Sequence, residues 1–295
     1  MRKTKATVFT QLEALGLKME LKDKTAVITG GSGGIGKAMA KAFIEEGARG
    51  IVLADLNKDA LDAAALELNC ESMVCNVTDE SQVGRLASYA NEKFGQIDLF
   101  CSNAGAGGEG VLTDATNEVW QNQWELHVMS HVYAARAVLP EMIDRGEGYL
   151  LNTASAAGLL AALGSGPYTV TKAAAVKLAE FISINHGDDG IKVSVLCPQG
   201  VNTAMAPKSF GDGQTDGIIE PEQLAKIVVE TIGFQHMDLE VTVPRVVIFR
   251  DAILDVIAGE LGARRSKVAK EGFTRAMNWA GGAFIFVRTR YTDRL

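Results

Sequence analysis

Four cysteines in 295 residues, Cys70, Cys75, Cys101 and Cys197, are too few and too scattered for a disulfide framework. No Cys-x-x-Cys occurs, and no His stands near them in ligand spacing, so a zinc site is not expected either. They read as reduced thiols packed in a core. A basic excess is also missing. With 29 Lys+Arg against 36 Asp+Glu the formal net charge is −7, which argues against a partner held through nucleic-acid phosphates. Long apolar runs are absent as well: the least polar stretch, Ala154 to Pro167, is Gly-rich and shorter than the roughly 20 apolar residues that span a bilayer. Arg2, Lys3 and Lys5 make the N-terminus basic, yet Glu13 and Lys18 interrupt any signal core, so the expectation is a soluble, cytoplasmic protein without a membrane span. No repeat or low-complexity tract is visible.

What the sequence does have is an ordinary globular mix, 47% hydrophobic and 22% charged, enough for a sizeable core. From Lys24 onward, short β-branched and aliphatic runs alternate with segments of helical period. Seven strands are expected, at Thr25–Thr29, Gly50–Ala54, Ser72–Asn76, Leu99–Ser102, Tyr149–Thr153, Lys192–Leu196 and Leu239–Val243. Six helices are expected between them, at Lys37–Glu46, Lys58–Leu68, Ser81–Phe94, Asn117–Arg145, Tyr168–Asn185 and Pro221–Ile232. That alternation predicts an α/β fold of the Rossmann type, a doubly wound sheet of about seven parallel strands with helices on both faces. Residues 1–22 read as an N-terminal extension, 23–243 as one dinucleotide-binding and catalytic domain, and 244–295 as a helical C-terminal extension that covers the cleft or widens an interface.

Glycines cluster where strands pass into the next segment, which in an open α/β sheet is the ligand crevice. The first strand runs into Thr29-Gly30-Gly31-Ser32-Gly33-Gly34-Ile35-Gly36. Two glycine registers can be read there, Gly31/Gly33/Gly36 and Gly30/Gly34/Gly36; in either, backbone N–H groups at a helix start can meet a pyrophosphate. Asp55 stands nineteen residues after Gly36, at the end of the second strand, where a carboxylate hydrogen-bonds ribose hydroxyls and repels a 2′-phosphate. No Arg or Lys occupies Ser32, Gly33 or Leu56 to offset it, so NAD is favoured over NADP.

Tyr168 and Lys172 lie four apart on one helical segment and so share a face. An ammonium beside a phenol favours phenolate and brings the Tyr pKa down from about 10 toward the working pH, as general acid/base chemistry requires. Ser155, thirteen residues earlier at a strand end, supplies a hydroxyl for the same substrate oxygen.

These residues together resemble the short-chain dehydrogenase/reductase family over roughly Leu21 to Val243. The resemblance rests on Thr29-Gly30-x-x-x-Gly34-x-Gly36, Asp55, Asn76-Val77, Asn103-Ala104-Gly105, Ser155, Tyr168-x-x-x-Lys172 and Pro198-x-x-Val201-x-Thr203. It selects the register with Gly30, Gly34 and Gly36, and implies that Ser32 and Ile35 in the turn, and Leu56 after Asp55, also line a nicotinamide dinucleotide site. Asn76 and Val77 would flank the adenine, where the family more often has Asp first. Asn103, Ala104 and Gly105 would line the cleft, and Pro198, Val201 and Thr203 would face the carboxamide, although Gln199 replaces the usual Gly. The family usually carries a catalytic Asn where this chain has His127, which leaves two readings open: His127 keeps a proton relay to Lys172, titrating near neutral pH, or it is a packed core histidine.

The function expected from the resemblance is NAD-dependent interconversion of a secondary alcohol and its ketone, catalysed by Ser155, Tyr168, Lys172 and His127. The competing reading is a sensor or scaffold that binds the cofactor with little turnover. The Ala, Gly and Leu of Ala156–Gly166, with Met205 and Phe210 in Ala204–Ile219, either line a pocket for an apolar substrate or pack against the core or a second subunit. A homodimer or homotetramer packed through the long helices Asn117–Arg145 and Tyr168–Asn185 is expected by the same resemblance.

Overall fold

A computed structural model describes residues 20–108, 110–162, 164–205 and 218–234. The expected strand Leu239–Val243, both terminal extensions apart from residues 20–22, and most of the segment Ala204–Ile219 lie outside the described residues.

Six strands form one parallel sheet: β1 (Thr25–Thr29), β2 (Gly50–Asp55), β3 (Glu71–Val74), β4 (Leu99–Ser102), β5 (Gly148–Thr153) and β6 (Ile191–Leu196). Their spatial order is β3-β2-β1-β4-β5-β6. The chain winds outward from β1 to β3 and then returns to place β4 against the other side of β1, so the crevice opens at the carboxyl ends of β1 and β4.

The sheet is doubly wound because its strands alternate. Val27, Val52, Phe100, Leu150 and Val193 face one side, where they bury the apolar stripes of α3 (Glu80–Phe94), α5 (Ser130–Asp144) and α6 (Gly166–His186). Ala26, Ile28, Leu53, Leu99 and Leu151 face the other, against α1 (Gly34–Glu45), α2 (Lys58–Leu68) and α7 (Pro221–Phe234). Phe43, Leu61, Leu86 and Met142 are completely enclosed, each worth about 1.5–3 kcal/mol over leaving it in water. The four thiols are unpaired, as expected, and burial pushes those of Cys70, Cys75 and Cys197 up to about 11. Among the described residues no helix is long and apolar enough to cross a membrane.

Two local departures from the expected elements bear on the site. The span expected as a single helix, Asn117–Arg145, is α4 (Asn117–Trp124), a π-helical turn (Glu125–Met129) and α5. The extra residue in that turn brings His127 and Val128 both into the interior, and the Ser130 hydroxyl donates to the Leu126 carbonyl at 2.6 Å. Such bulges are frequent at functional positions. Gly200–Val201, after the unusual Gln199, makes a short parallel pair of strands, β7 (Gly200–Val201) and β8 (Ile218–Ile219). This pairing fixes the backbone beside Thr203.

Candidate active site

The strand ends enclose a cleft of about 750 Å³. It is lined by every residue expected at the cofactor: Gly30, Ser32, Gly34, Ile35, Gly36, Asp55, Leu56, Asn76, Val77, Asn103, Ala104, Gly105, Pro198, Val201 and Thr203, together with Ser155, Tyr168 and Lys172. His127 is not among the lining residues; it lies completely buried behind them.

The Gly-rich turn has the geometry of an anion site. Gly30 sits at φ +64°, and a Cβ there would lie 2.9 Å from the Ala104 Cα; at Gly36 a Cβ would come within 2.3 Å of the Gly30 carbonyl oxygen. Side chains are thus excluded where the turn passes β4 and where α1 packs on the turn. Helices α2, α3 and α4 each start with a side-chain cap, from Asn57, Asp79 and Thr116. Helix α1 starts at Gly33 with none, and its first turn carries no acidic residue. Its leading N–H groups and positive dipole end face the cleft without a competing carboxylate of their own.

Asp55 is held by the turn it serves. Its Oδ2 accepts from the Ser32 hydroxyl at 2.6 Å and the Ser32 N–H at 3.2 Å, and its Oδ1 accepts from the Leu56 N–H at 2.8 Å. Asn76 uses its side-chain oxygen on Thr78, at 2.9 Å from the hydroxyl and 3.1 Å from the N–H, so its amide NH₂ is the group to present to a base. Asn103 ties three strand ends together: its N–H meets the Thr29 hydroxyl at 2.9 Å, its NH₂ donates to the Thr29 carbonyl at 3.0 Å, and its Oδ1 accepts from Thr153 at 3.1 Å.

Ser155 and Tyr168 come together from different elements. Ser155 follows β5 and caps a single 3-10 turn (Ala156–Gly158), its Oγ accepting from the Ala157 N–H at 3.1 Å. Tyr168 lies in the first turn of α6, whose entry is fixed by Pro167 and by the loop after β4. There Gly166 N–H meets the Gly110 carbonyl at 3.0 Å, and the Ser165 hydroxyl donates to the Gly108 carbonyl. The Ser155 side chain is near enough to the Tyr168 hydroxyl to pull its pKa down, against the burial that raises it, and both line the same cleft. One turn on, Lys172 is buried, with Nζ 5.7 Å from the centre of the Tyr168 ring and donating to the Thr153 carbonyl at 2.9 Å.

The electrostatics differ from the sequence expectation in two places. Burial raises the Tyr168 pKa above 10, with Ser155 pulling the other way. The same burial lowers Lys172 to about 8, so desolvation outweighs the ammonium's pull on the phenol. Sequence spacing fixes which groups meet but not how much water they lose. His127, which as a relay would titrate near neutral pH, is likewise pushed down to about 2 by burial first and then by the Lys172 charge. Both of its nitrogens are engaged. Nε2 accepts from the Ala106 N–H at 3.3 Å, which leaves the proton on Nδ1, 3.1 Å from the Thr171 hydroxyl. Its ring meets that of Tyr168 edge-on, with centres 5.3 Å apart. His127 is therefore a neutral hydrogen-bonding imidazole.

Sequence reasoning missed the Thr153 carbonyl that holds Lys172, the hydroxyl role of Thr171, and Gln199 and Leu126 in the lining. A backbone acceptor leaves no side-chain signal. The position of Thr153, two residues before Ser155 at the end of an expected strand, was the available clue.

A family profile described as short chain dehydrogenase matches residues 24–213. Over 228 residues the chain is 34% identical to 1-deoxy-11-beta-hydroxypentalenate dehydrogenase of Streptomyces exfoliatus, an alignment covering 73% of this chain and 82% of the relative. Among solved structures it is similar to a short chain dehydrogenase/reductase from Burkholderia phymatum in complex with NAD, at TM-score 0.66 and 28% identity, covering 72% of this chain and 87% of the other. It is also similar to 3-ketoacyl-(acyl-carrier-protein) reductase from Brucella melitensis complexed with NADH, at TM-score 0.69 and 26% identity, covering 74% and 94%. With the parallel six-stranded sheet, the Gly-rich turn on β1 and the profile match over most of its length, the chain belongs to the short-chain dehydrogenase/reductase family of oxidoreductases.

Proposed function

We propose that this oxidoreductase interconverts a secondary alcohol and its ketone with NAD, using Tyr168 as general acid/base. The observation that carries the reading is the convergence of Ser155, Tyr168 and buried Lys172 on the same cleft as the uncapped start of α1. A nicotinamide dinucleotide bound there supplies the two-electron donor or acceptor and, when oxidised, a positively charged ring. The N–H groups of Gly34, Ile35 and Gly36 would hold its pyrophosphate, Asp55 its ribose hydroxyls, and Asn76 and Val77 its base. Pro198, Val201 and Thr203 line the carboxamide end.

The chain's own groups then handle the substrate oxygen. Ser155 donates to it and orients it toward Tyr168. A phenol that burial keeps protonated is ready to give its proton to a developing alkoxide in ketone reduction. In alcohol oxidation the same oxygen must first lose that proton, and the charge of Lys172, held by the Thr153 carbonyl, favours the loss. His127 braces the arrangement as a neutral imidazole between the loop after β4 and Thr171 of α6.

NAD is the favoured cofactor because the Asp55 carboxylate faces the cleft mouth with Leu56, 64% exposed, beside it and no cation at either Ser32 or Leu56. Steady-state kinetics with both dinucleotides test this: kcat/KM for NAD is expected to exceed that for NADP at least about tenfold, and Asp55→Ala to erase most of the gap. Equal values in the wild type would contradict the assignment. An apolar substrate is favoured by Met205, 53% exposed at the cleft, whereas Leu159 packs against the core. Self-association is favoured by the apolar stripe Val170, Phe181 and Ile184 on the outer face of α6.

Absorbance at 340 nm with a panel of secondary alcohols tests the whole reading. Cofactor binding without Tyr168-dependent turnover of any of them would favour a sensor instead.

A further inference from the structure

Behind Lys172 lies a second polar group of residues that the proposed reaction does not use. His131, on α5, is 2% exposed, yet neither of its ring nitrogens has a hydrogen-bond partner. Asn152, on β5, is 3% exposed, and its Nδ2 has none either. The two side chains are neighbours: the Asn152 amide is close enough to favour the charged form of the His131 ring, but is not aligned for a direct hydrogen bond. Strand alternation explains the meeting, since Leu150 and Ala154 flank Asn152 on the face that packs against α5 and α6. Lys172 reaches the same place from α6. Its Nζ bonds the carbonyl of Thr153, the residue after Asn152, and its charge is felt by both His131 and His127.

Buried polar atoms are almost always satisfied, by protein or by an ordered water with two to four partners. One water meets Asn152 Nδ2 and the acceptor nitrogen of His131, two of the three buried atoms here without partners, and leaves the imidazole N–H. The Asn152 NH₂ and the Lys172 ammonium donate to the water oxygen, and the water donates to the unprotonated nitrogen of the neutral imidazole. We propose that His131 and Asn152 form a buried water site that supplies Lys172 with a hydrogen-bond acceptor besides the Thr153 carbonyl, making His131 a positioning residue for the lysine.

The titratable groups around Lys172 are Tyr168 on its own helix, His127 in the π turn, His131 on α5 and Cys197 after β6; β5 contributes only neutral acceptors and donors. Neutral imidazoles cannot repel the ammonium. Both His127 nitrogens are already engaged, so it is His131 that accepts a hydrogen bond for the ammonium through the water, against the burial that lowers Lys172. Loss of the acceptor therefore disfavours the ammonium further.

The proposal builds on Lys172 as a functional lysine, so its test uses a readout other than turnover. Lysine side chains carrying an NMR-active label at Cε are titrated in the protein without added dinucleotide, the Lys172 signal being identified by its loss in Lys172→Met. The Lys172 midpoint is expected to fall by about one pH unit in His131→Phe, a tenfold change in its protonation constant, and to recover by at least half in His131→Gln, which keeps a hydrogen-bonding side chain. Asn152→Leu, which removes the other holder of the water, is expected to lower the midpoint in the same direction and serves should His131→Phe not fold. Midpoints within about 0.2 pH units of wild type in His131→Phe and Asn152→Leu would overturn the water site. A lowered midpoint in a protein that turns over no alcohol would refute the proposed function and leave this inference standing.

Discussion

Replacing Tyr168 by Phe is expected to lower kcat about a thousandfold while the KM for NAD stays within about threefold, because general acid/base groups contribute about 10²–10⁴ to rate. The phenyl ring keeps the edge-on contact with His127 and the packing beneath Lys172, so the fold and the dinucleotide cleft have no reason to change. What disappears is one hydroxyl, in the cleft that Ser155 also lines. The dependence of rate on pH should show the same group. Since burial places the phenol above its ordinary 10, ketone reduction in the wild type is expected to be flat through neutral pH, and alcohol oxidation to rise with pH as the phenolate becomes populated. Stopped-flow and steady-state rates in both directions measure this. A kcat within tenfold of wild type in Tyr168→Phe would remove Tyr168 from the chemistry.

Acidification is expected to unfold the protein steeply, and two imidazoles are the reason. Burial first, and the Lys172 charge second, push His127 down to about 2 and His131 down to about 3 from the ordinary 6.5. Both groups are neutral in the folded state and free to protonate in the unfolded chain. The stability they contribute is fully present above pH 6.5 and is lost as pH falls from there toward the folded values. Each costs about 1.4 kcal/mol per pH unit in that window, so the pair removes roughly 4 kcal/mol by pH 5, a large part of a typical total of about 5–15 kcal/mol. Urea unfolding from pH 8 to 4.5 should show a plateau and then a fall, with His127→Asn and His131→Gln each flattening the slope by up to half. A wild-type slope retained in both variants would mean that the two rings are not held neutral.

Much of this molecule could be read in the sequence because its signals are local. The β-branched runs ending in Gly, Asn or Asp gave six of the strands that form the sheet, and the runs around Val27 and Leu53 alternate between two cores as a doubly wound sheet demands. The Gly-rich turn, Asp55, Ser155 and the Tyr168–Lys172 pair were legible because their spacing is set by one turn of helix or one strand end, and all of them line the cleft. What was not legible depends on three-dimensional burial. The spacing of Tyr168 and Lys172 predicted a charge effect, whereas enclosure of both groups makes desolvation the larger influence. His127 could be read as a titrating relay, from its place where the family has Asn, or as a packed core histidine, and the π turn that directs it inward onto Ala106 and Thr171 favours the second. His131, one turn further, carried no signal at all, since its neighbour Asn152 comes from a strand 21 residues away.

The central claim is that the cleft at the strand ends moves two electrons between a carbinol carbon and a nicotinamide ring. Mass spectrometry of the dinucleotide after incubation with carbinol-deuterated secondary alcohols, over a panel from cyclohexanol to bulky polycyclic carbinols, tests it most directly. The account predicts reduced dinucleotide carrying one deuterium per turnover with at least one of them, and none with Tyr168→Phe on the same timescale. Reduced dinucleotide without the label, or none formed from any alcohol in the panel, would contradict it.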